Sequence, residues 1–463
     1  MRPAAVLLLV VASVGCGSTN TASTPSPSPT PSGPSEWPMY AHDVTHSSVN
    51  LNEVTITPSN VANLSQAWQV DLGSSNGVYS NSTPTIVGGR VYVGSSASPN
   101  ANFFAVDAGS GQIVWGANLG YQFNPACDPL ENVGIPSTAA VTGGVVTVGG
   151  GDAAYYGLDA ATGTILWRQP LNAGPSGFAW SSPAVGNGIV YFGASSQCDN
   201  PPVRGELRAV NLTDGSLVAS QFFGPVNSPG GGGGIWNSPA MTSDAQTVVV
   251  VTGEDNGDNW PTQQAVVTLD PTTLAIEQAS KQGTVGGDLD FGTSPVVFFA
   301  PDGSSMIGAS QKTGIFYAFS VNNLAAGPVW SRNIGVVVGA TPAYDPSLGT
   351  SGTLFVAGTD GAAQYNGGNG MLYALDPATG NDRWSSPSPI GNIANNMAIV
   401  NGLIFVNASM GGVRVINETT GQIVQTLIAN NIGPTLSGIA VAEGAVFWMS
   451  GSILNCWRPP TIQ

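Results

Sequence analysis

Two kinds of hairpin alternate along this chain, and their alternation limits the fold more than any other feature. The first kind is YYGLDAATGTILW, ending at Trp167. Strand residues lead into a turn opened by Asp159, whose short carboxylate can accept backbone N–H groups. Gly163 suits the positive φ that such hairpins need, and Ile165, Leu166 and Trp167 make an apolar outgoing strand. Further copies are FFAVDAGSGQIVW to Trp115, LRAVNLTDGSLVA to Ala219, VVTLDPTTLAIE from Val266, FYAFSVNNLAAGPVW to Trp330, LYALDPATGNDRW to Trp384 and VRVINETTGQIVQ to Gln425, seven in all.

The second kind opens on a Ser/Thr-Pro-Ala-like start, runs through an apolar strand and a Gly or Asp turn, and closes on a strand ending in Gly or Ala. It starts at Ser82, Ile135, Ser181, Asn237, Thr293, Thr341, Asn396 and Ser437, eight copies in all. Two hairpins make four strands, and a four-stranded unit repeating every ~40–60 residues signals a β-propeller. The eighth unit has its first hairpin and a third strand, Ser452 to Trp457. Its missing outer strand is supplied by Leu64 to Gly73, where Trp68 stands at the repeat's Trp position. The prediction is an all-β, eight-bladed propeller of four-stranded antiparallel blades, closed by N-terminal pairing with the last blade, so that the ring has no free seam.

Composition narrows the function. Charged residues make up 8% of the chain, and turns rich in Gly, Asn, Asp and Thr do the shaping. With eleven Lys and Arg and a net charge of −16, the chain lacks the basic surface that nucleic acid requires. No basic amphipathic helix suggests docking on anionic lipid. There is no Cys-x-x-Cys-His for covalent haem and no cysteine cluster with zinc spacing.

The ends divide the chain. Residues 1–16 carry AAVLLLVVASVG, too short to span a membrane but suited to an export signal, and stop at Gly15-Cys16. This junction resembles a bacterial lipoprotein signal in which Cys16 would be lipidated; Ser13 stands where such signals usually have Leu, and an ordinary cleaved signal is the other reading. Residues 17–35 form a Pro/Ser/Thr tether, and 36–463 the propeller. The expected location is the bacterial envelope, with the membrane touched only through the lipid. In that oxidising compartment Cys127 and Cys198, both in long inter-strand loops, can pair. His42 and His46 flank Asp43 in the lead-in, where they read as a capped turn rather than a metal site.

The Ala-x-Asp-x-x-Thr-Gly-x-x-x-Trp repeat resembles the tryptophan-docking repeat of quinoprotein alcohol dehydrogenases, which bind pyrroloquinoline quinone (PQQ). WPMYAHD from Trp37 and ITPSNVANLSQAW from Ile56 resemble that family's N-terminal segment, and GGGIWNSPA, GDLDFGTSPV and ASQKTGIFYAF its polyvinyl-alcohol dehydrogenase-like branch. The resemblance implies hydride transfer from an alcohol to the quinone, with electrons leaving to a separate acceptor. It implies Trp236 as the stacking floor behind Gly230 to Gly234, Asp290 beside Asp288 as the base, and Lys312 as the cation near the quinone oxygens. Arg204 is the candidate for the cofactor carboxylates. For calcium the chain offers Asp199, Glu254 and Asp290; the first position holds Gln197, Cys198 or Asp199 and no Glu, and the adjacent-cysteine ring of many relatives is absent. Two readings follow: an exported quinone-dependent oxidoreductase, and a non-catalytic envelope scaffold on the same ring.

Overall fold

Six of the seven repeat turns are wired through the side chain of an opening Asp or Asn. At Asp159 the carboxylate accepts the backbone N–H and the hydroxyl of Thr162, both at 2.8 Å, and Gly163 N–H closes on the Asp159 carbonyl at 2.8 Å. Gly163 sits at φ +73°, and a Cβ there would lie 2.6 Å from the Trp115 ring of the preceding blade. Glycine is therefore required twice over, for the turn and for the ring packed on it.

The computed structural model describes Met1 and residues 33–460, except 74–81, 96–99, 123, 128–133, 172, 175, 227–230, 284–287, 337, 360–369, 392–394, 409–411 and 430–436. The export signal, Cys16 and most of the tether lie outside the described residues. The strands form eight antiparallel sheets, one per predicted unit. The third carries a short extra strand, Gly177–Phe178, paired with Ile189–Ser196. First strands of adjacent blades touch around the axis, so they line the centre. Fourth strands carry mostly exposed and half-buried residues, which alternate strictly in Ser65–Asp71, and form the rim.

Closure follows the expected route. Ser65–Asp71 pairs antiparallel with Ile453–Arg458, with Trp68 opposite Cys456. Cys456 in turn lies opposite Phe447, so both ends of the chain share one sheet. The indole of Trp68 then bonds forward to the Ala108 carbonyl of blade 1 at 3.1 Å. Trp115, Trp167, Trp330 and Trp384 repeat this bond to Ala160, Leu212, Pro377 and Glu418. Three seams depart from the pattern. Between blades 7 and 8, Gln425 stands at the Trp position and its Nε2 donates to the Ala62 carbonyl at 3.2 Å. Between blades 3 and 4 the Trp position is Ala219 and the Gly position is Leu274, a fully buried side chain at φ +54°, so Leu274 fills the space the indole leaves. Between blades 4 and 5, Gln278 Nε2 replaces the indole and bonds the Val321 carbonyl at 3.0 Å.

The hydroxyls that open the second hairpins also have a structural use. Thr83 N–H donates to Thr138 Oγ1, Thr138 N–H to Ser182 Oγ, Ser182 N–H to Ser238 Oγ and Ser238 N–H to Ser294 Oγ, at 2.9–3.0 Å. Gly438 N–H continues the belt to Thr83 Oγ1. Each hydroxyl satisfies a buried N–H of the blade before it. Ser238→Ala should orphan the Ser182 N–H and cost about 1–3 kcal/mol, read as a fall in denaturation midpoint; Ser238→Thr should cost far less.

The lead-in, residues 37–50, circles the channel along the inner strands. Trp37 pairs with Ile86 of blade 1, and the Pro38 carbonyl accepts Val141 N–H of blade 2. Val44, Thr45, Ser47 and Ser48 carbonyls accept from Met241, Val297, Tyr344 and Ile399 of blades 4 to 7, and Asn50 Nδ2 donates to the Val441 carbonyl of blade 8. Asp43 caps the turn, taking Thr45 N–H at 2.9 Å and Ser47 N–H at 3.2 Å. His46 is buried, with Nδ1 2.7 Å from the Pro295 carbonyl; burial pulls its pKa down to about 4. The circuit thus visits blades in chain order, and the two histidines serve it.

Candidate active site

In an up-and-down blade, the start of the first strand and the end of the second share one face. Trp236 precedes Ala240–Met241 and Glu254 follows Val248–Val251, both in blade 4. Asp290 precedes Val296–Phe299 and Lys312 follows Ser305–Ser310, both in blade 5. The topology therefore delivers all four to one face at one seam. Backbone bonds fix them there. Lys312 N–H donates to the Asp290 carbonyl at 2.9 Å, and Phe291 bridges Gln311. Asn237 Nδ2 ties blade 4 to the Phe291 carbonyl at 2.9 Å. Behind Trp236 the chain turns through Gly232 at φ +100° and Gly233 at φ +66°, which brings Gly233 N–H to the Glu254 carbonyl at 2.9 Å.

The side chains meet closely. Trp236 Nε1 donates to Asp290 Oδ2 at 2.7 Å, and the Lys312 ammonium lies 5.1 Å from the centre of the Trp236 ring. The ammonium pairs with Asp290 Oδ1 at 2.6 Å and with Asp288, and sits 3.7 Å from Glu254 Oε1. Asp290 is fully buried; Trp236 keeps part of its ring open. Burial pushes the Asp290 carboxyl up to about 6 against the opposing pull of Lys312. Burial and then the charges of Asp290 and Asp199 push Glu254 up to about 8. For Lys312 burial disfavours the charge, but Asp290, Glu254 and Asp288 together outweigh it and raise its pKa. An ammonium shared among three carboxylates is consistent with these directions.

The metal set differs from the expected one. Glu254, Asp288 and Asp290 bring ligand atoms within 4.8 Å of one another. Asp199 is exposed, at φ +55°, and stands outside this trio, though its charge reaches Glu254. Asp288, two residues before Asp290, brings its carboxylate into the trio instead. The loop carrying Asp199 is tied elsewhere: Cys198 is disulfide-bonded to Cys127, the pair singled out above.

Arg204 also departs from expectation. Its Nε donates to the Gly224 carbonyl at 2.6 Å, and its guanidinium lies 4.1 Å from the centre of the Phe222 ring, on the outer strand of blade 3. It borders a groove of about 310 Å³ with Pro201, Pro202 and Phe222. The side chain turns to the rim, so the structure does not bring it to the Trp236–Asp290–Lys312 cluster.

Comparison with known proteins agrees with the propeller fold. The family model described as outer membrane protein assembly factor BamB matches residues 104–273 and 318–428, and the model for the glucose/ethanol/alcohol dehydrogenase β-propeller domain matches 37–166. A polyvinylalcohol dehydrogenase of a Pseudomonas species is 22% identical over 85% of this chain and 67% of its own. A quinohemoprotein alcohol dehydrogenase of Comamonas testosteroni is 27% identical over 62% of this chain. This chain spans about two thirds of the first relative and 45% of the second. The crystal structure of the Comamonas enzyme superposes with a TM-score of 0.69 at 18% identity, over 92% of this chain and 82% of that one. BamB from Moraxella catarrhalis gives 0.55 at 15% identity, over 85% and 99%. These superpositions speak for the fold.

Proposed function

Since the chain belongs to the PQQ-dependent alcohol dehydrogenase-like propeller family, we propose that it is an exported oxidoreductase that takes hydride from an alcohol onto bound pyrroloquinoline quinone. The observation that carries the reading is the convergence of Trp236, Asp290 and Lys312 within hydrogen-bonding and ring-contact distance on one face. The residues fit the group. A partly open indole offers a flat apolar surface for a planar ligand, and a buried cation beside it suits an acidic, electron-accepting one. The trio Glu254, Asp288 and Asp290 is a hard-oxygen donor set of the kind calcium takes, so these three would hold the ion.

The quinone, when bound, supplies the electrophile that receives the hydride. Trp236 holds its plane, and the Trp236–Asp290 bond keeps the base beside that plane. Asp290 takes the hydroxyl proton of the alcohol on its carboxylate. Lys312 holds positive charge near the developing anion, and its bond to Asp290 orients the carboxylate. Lys312 shares its carboxylates with any ion the trio holds, so loading the site must redistribute those contacts.

The test is titration of the whole protein with PQQ and calcium, followed by dye-linked oxidation of primary, secondary and polymeric alcohols. Saturable quinone binding with alcohol-dependent dye reduction is expected. No binding at tens of micromolar quinone would leave the scaffold reading, which the longer family match to the BamB-type model favours.

A further inference from the structure

Glu254 has an acidic neighbour, Asp255, and the two carboxylates go to different lysines. Glu254 faces Lys312 of blade 5. Asp255 is fully buried and pairs with Lys281, at the end of the outer strand of blade 4. The Lys281 ammonium also donates to Asn259 Oδ1 and to the Trp260 carbonyl, both at 3.1 Å, so its three protons each have an acceptor. Asp255 Oδ1 meanwhile takes Gly257 N–H and Asn259 N–H, both at 3.0 Å. The loop from 254 to 260 is thus wrapped round an internal cation fixed to the rim strand.

We propose that Lys281 is a positioning residue that decides which of two adjacent carboxylates enters the active face: by clasping Asp255 it commits Glu254 to Lys312 and the metal trio. This rests on the quinoprotein reading only for the ligand that Glu254 meets. A buried carboxylate left without its cation is costly, so without Lys281 the loop must rearrange, and Glu254 is no longer held at the seam. Glu254 is held otherwise through its carbonyl by Gly233 N–H, which makes that amide a reporter of its position.

The test compares wild type, Lys281→Met, Lys281→Arg and Asp255→Asn/Lys281→Met as whole proteins, with calcium alone as the probe. Lys281→Met is expected to weaken calcium binding at least about tenfold, the usual loss for a second-tier partner of a metal ligand, with Lys281→Arg recovering most of it. The double variant removes the buried charge, so its melting temperature should return while its calcium affinity stays low. Recovery of both would reduce Lys281 to a neutraliser and overturn the proposal, as would unchanged calcium affinity in Lys281→Met. If wild type binds neither calcium nor quinone, the quinoprotein reading falls separately. Hydrogen exchange then decides: faster exchange at Gly233, Gly257 and Asn259 in Lys281→Met, with the blade 4 strands unchanged, supports the clasp, and equal exchange overturns it.

Discussion

Asp290→Asn lowers kcat by about 10²–10⁴-fold while quinone affinity stays within about threefold, under 1 kcal/mol. The asymmetry follows from the geometry. An Asn oxygen can still accept the Trp236 Nε1 hydrogen bond, so the floor keeps its partner, but an amide cannot take the hydroxyl proton. The pH profile gives the sign. Asp290 must be ionised to act, and burial places its carboxyl at about 6. Wild-type turnover should therefore rise with pH as Asp290 ionises, on a limb at or below about 6 because an ion held by the trio favours the carboxylate, and the variant's residual rate should lose that limb. Pre-steady-state quinone reduction at several pH values checks both. Wild-type-like turnover in Asp290→Asn would remove Asp290 from the mechanism.

Glu418→Gln stabilises the protein by roughly 3 kcal/mol at pH 7 and hardly at all near pH 4.5. Glu418 lies in the turn after Gly412–Asn417, at the position that other repeats fill with Ala108, Ala160, Leu212, Val321 or Pro377. It is almost fully buried against Asp345 of blade 6, and its carbonyl receives the Trp384 indole. Burial first, then the charge and hydrogen bond of Asp345, push its carboxyl up to about 10. A folded-state value above the ordinary one means the protonated acid is favoured on folding. That stability is fully present below about 4.3 and is lost as pH rises towards 10, at about 1.36 kcal/mol per unit. Gln mimics the protonated acid, donating to Asp345 at every pH. Melting curves at pH 4.5, 7 and 8.5 test this, and an equal gain at all three would refute the protonation account.

The ring was legible because its determinants are local and repeated. The Trp68 position announced closure before any strand pairing was known. Trp236, Asp290 and Lys312 were legible through the family resemblance, and strand order explains why the three share one face. What the chain concealed depends on side-chain direction. Arg204 and Lys312 both follow second strands, yet one turns to Phe222 at the rim and the other to Asp290. Asp199 follows Cys198, which is bonded to Cys127, and stands outside the trio, whereas Asp288 falls beside Asp290. The path of the lead-in round the ring was not legible because most of its bonds to the blades use backbone carbonyls, indifferent to residue type. Ala41, His42, His46 and Ser48 take positive φ there, a conformation uncommon outside glycine and unannounced by Ala41 or Ser48.

That lead-in has a mechanical consequence. Tension arriving from residue 33 meets first Ser35, whose carbonyl takes Glu443 N–H of blade 8, then the Trp37 bridge on blade 1, the Pro38 bond on blade 2, and so on round to Asn50. It must unzip this circuit stepwise before it reaches Ser65–Asp71, the strand whose loss would open the ring. The circuit behaves as a fuse in series with the clasp of the hoop: stretches of chain can be spent while the enclosed seam, and the residues gathered there, stay under no strain.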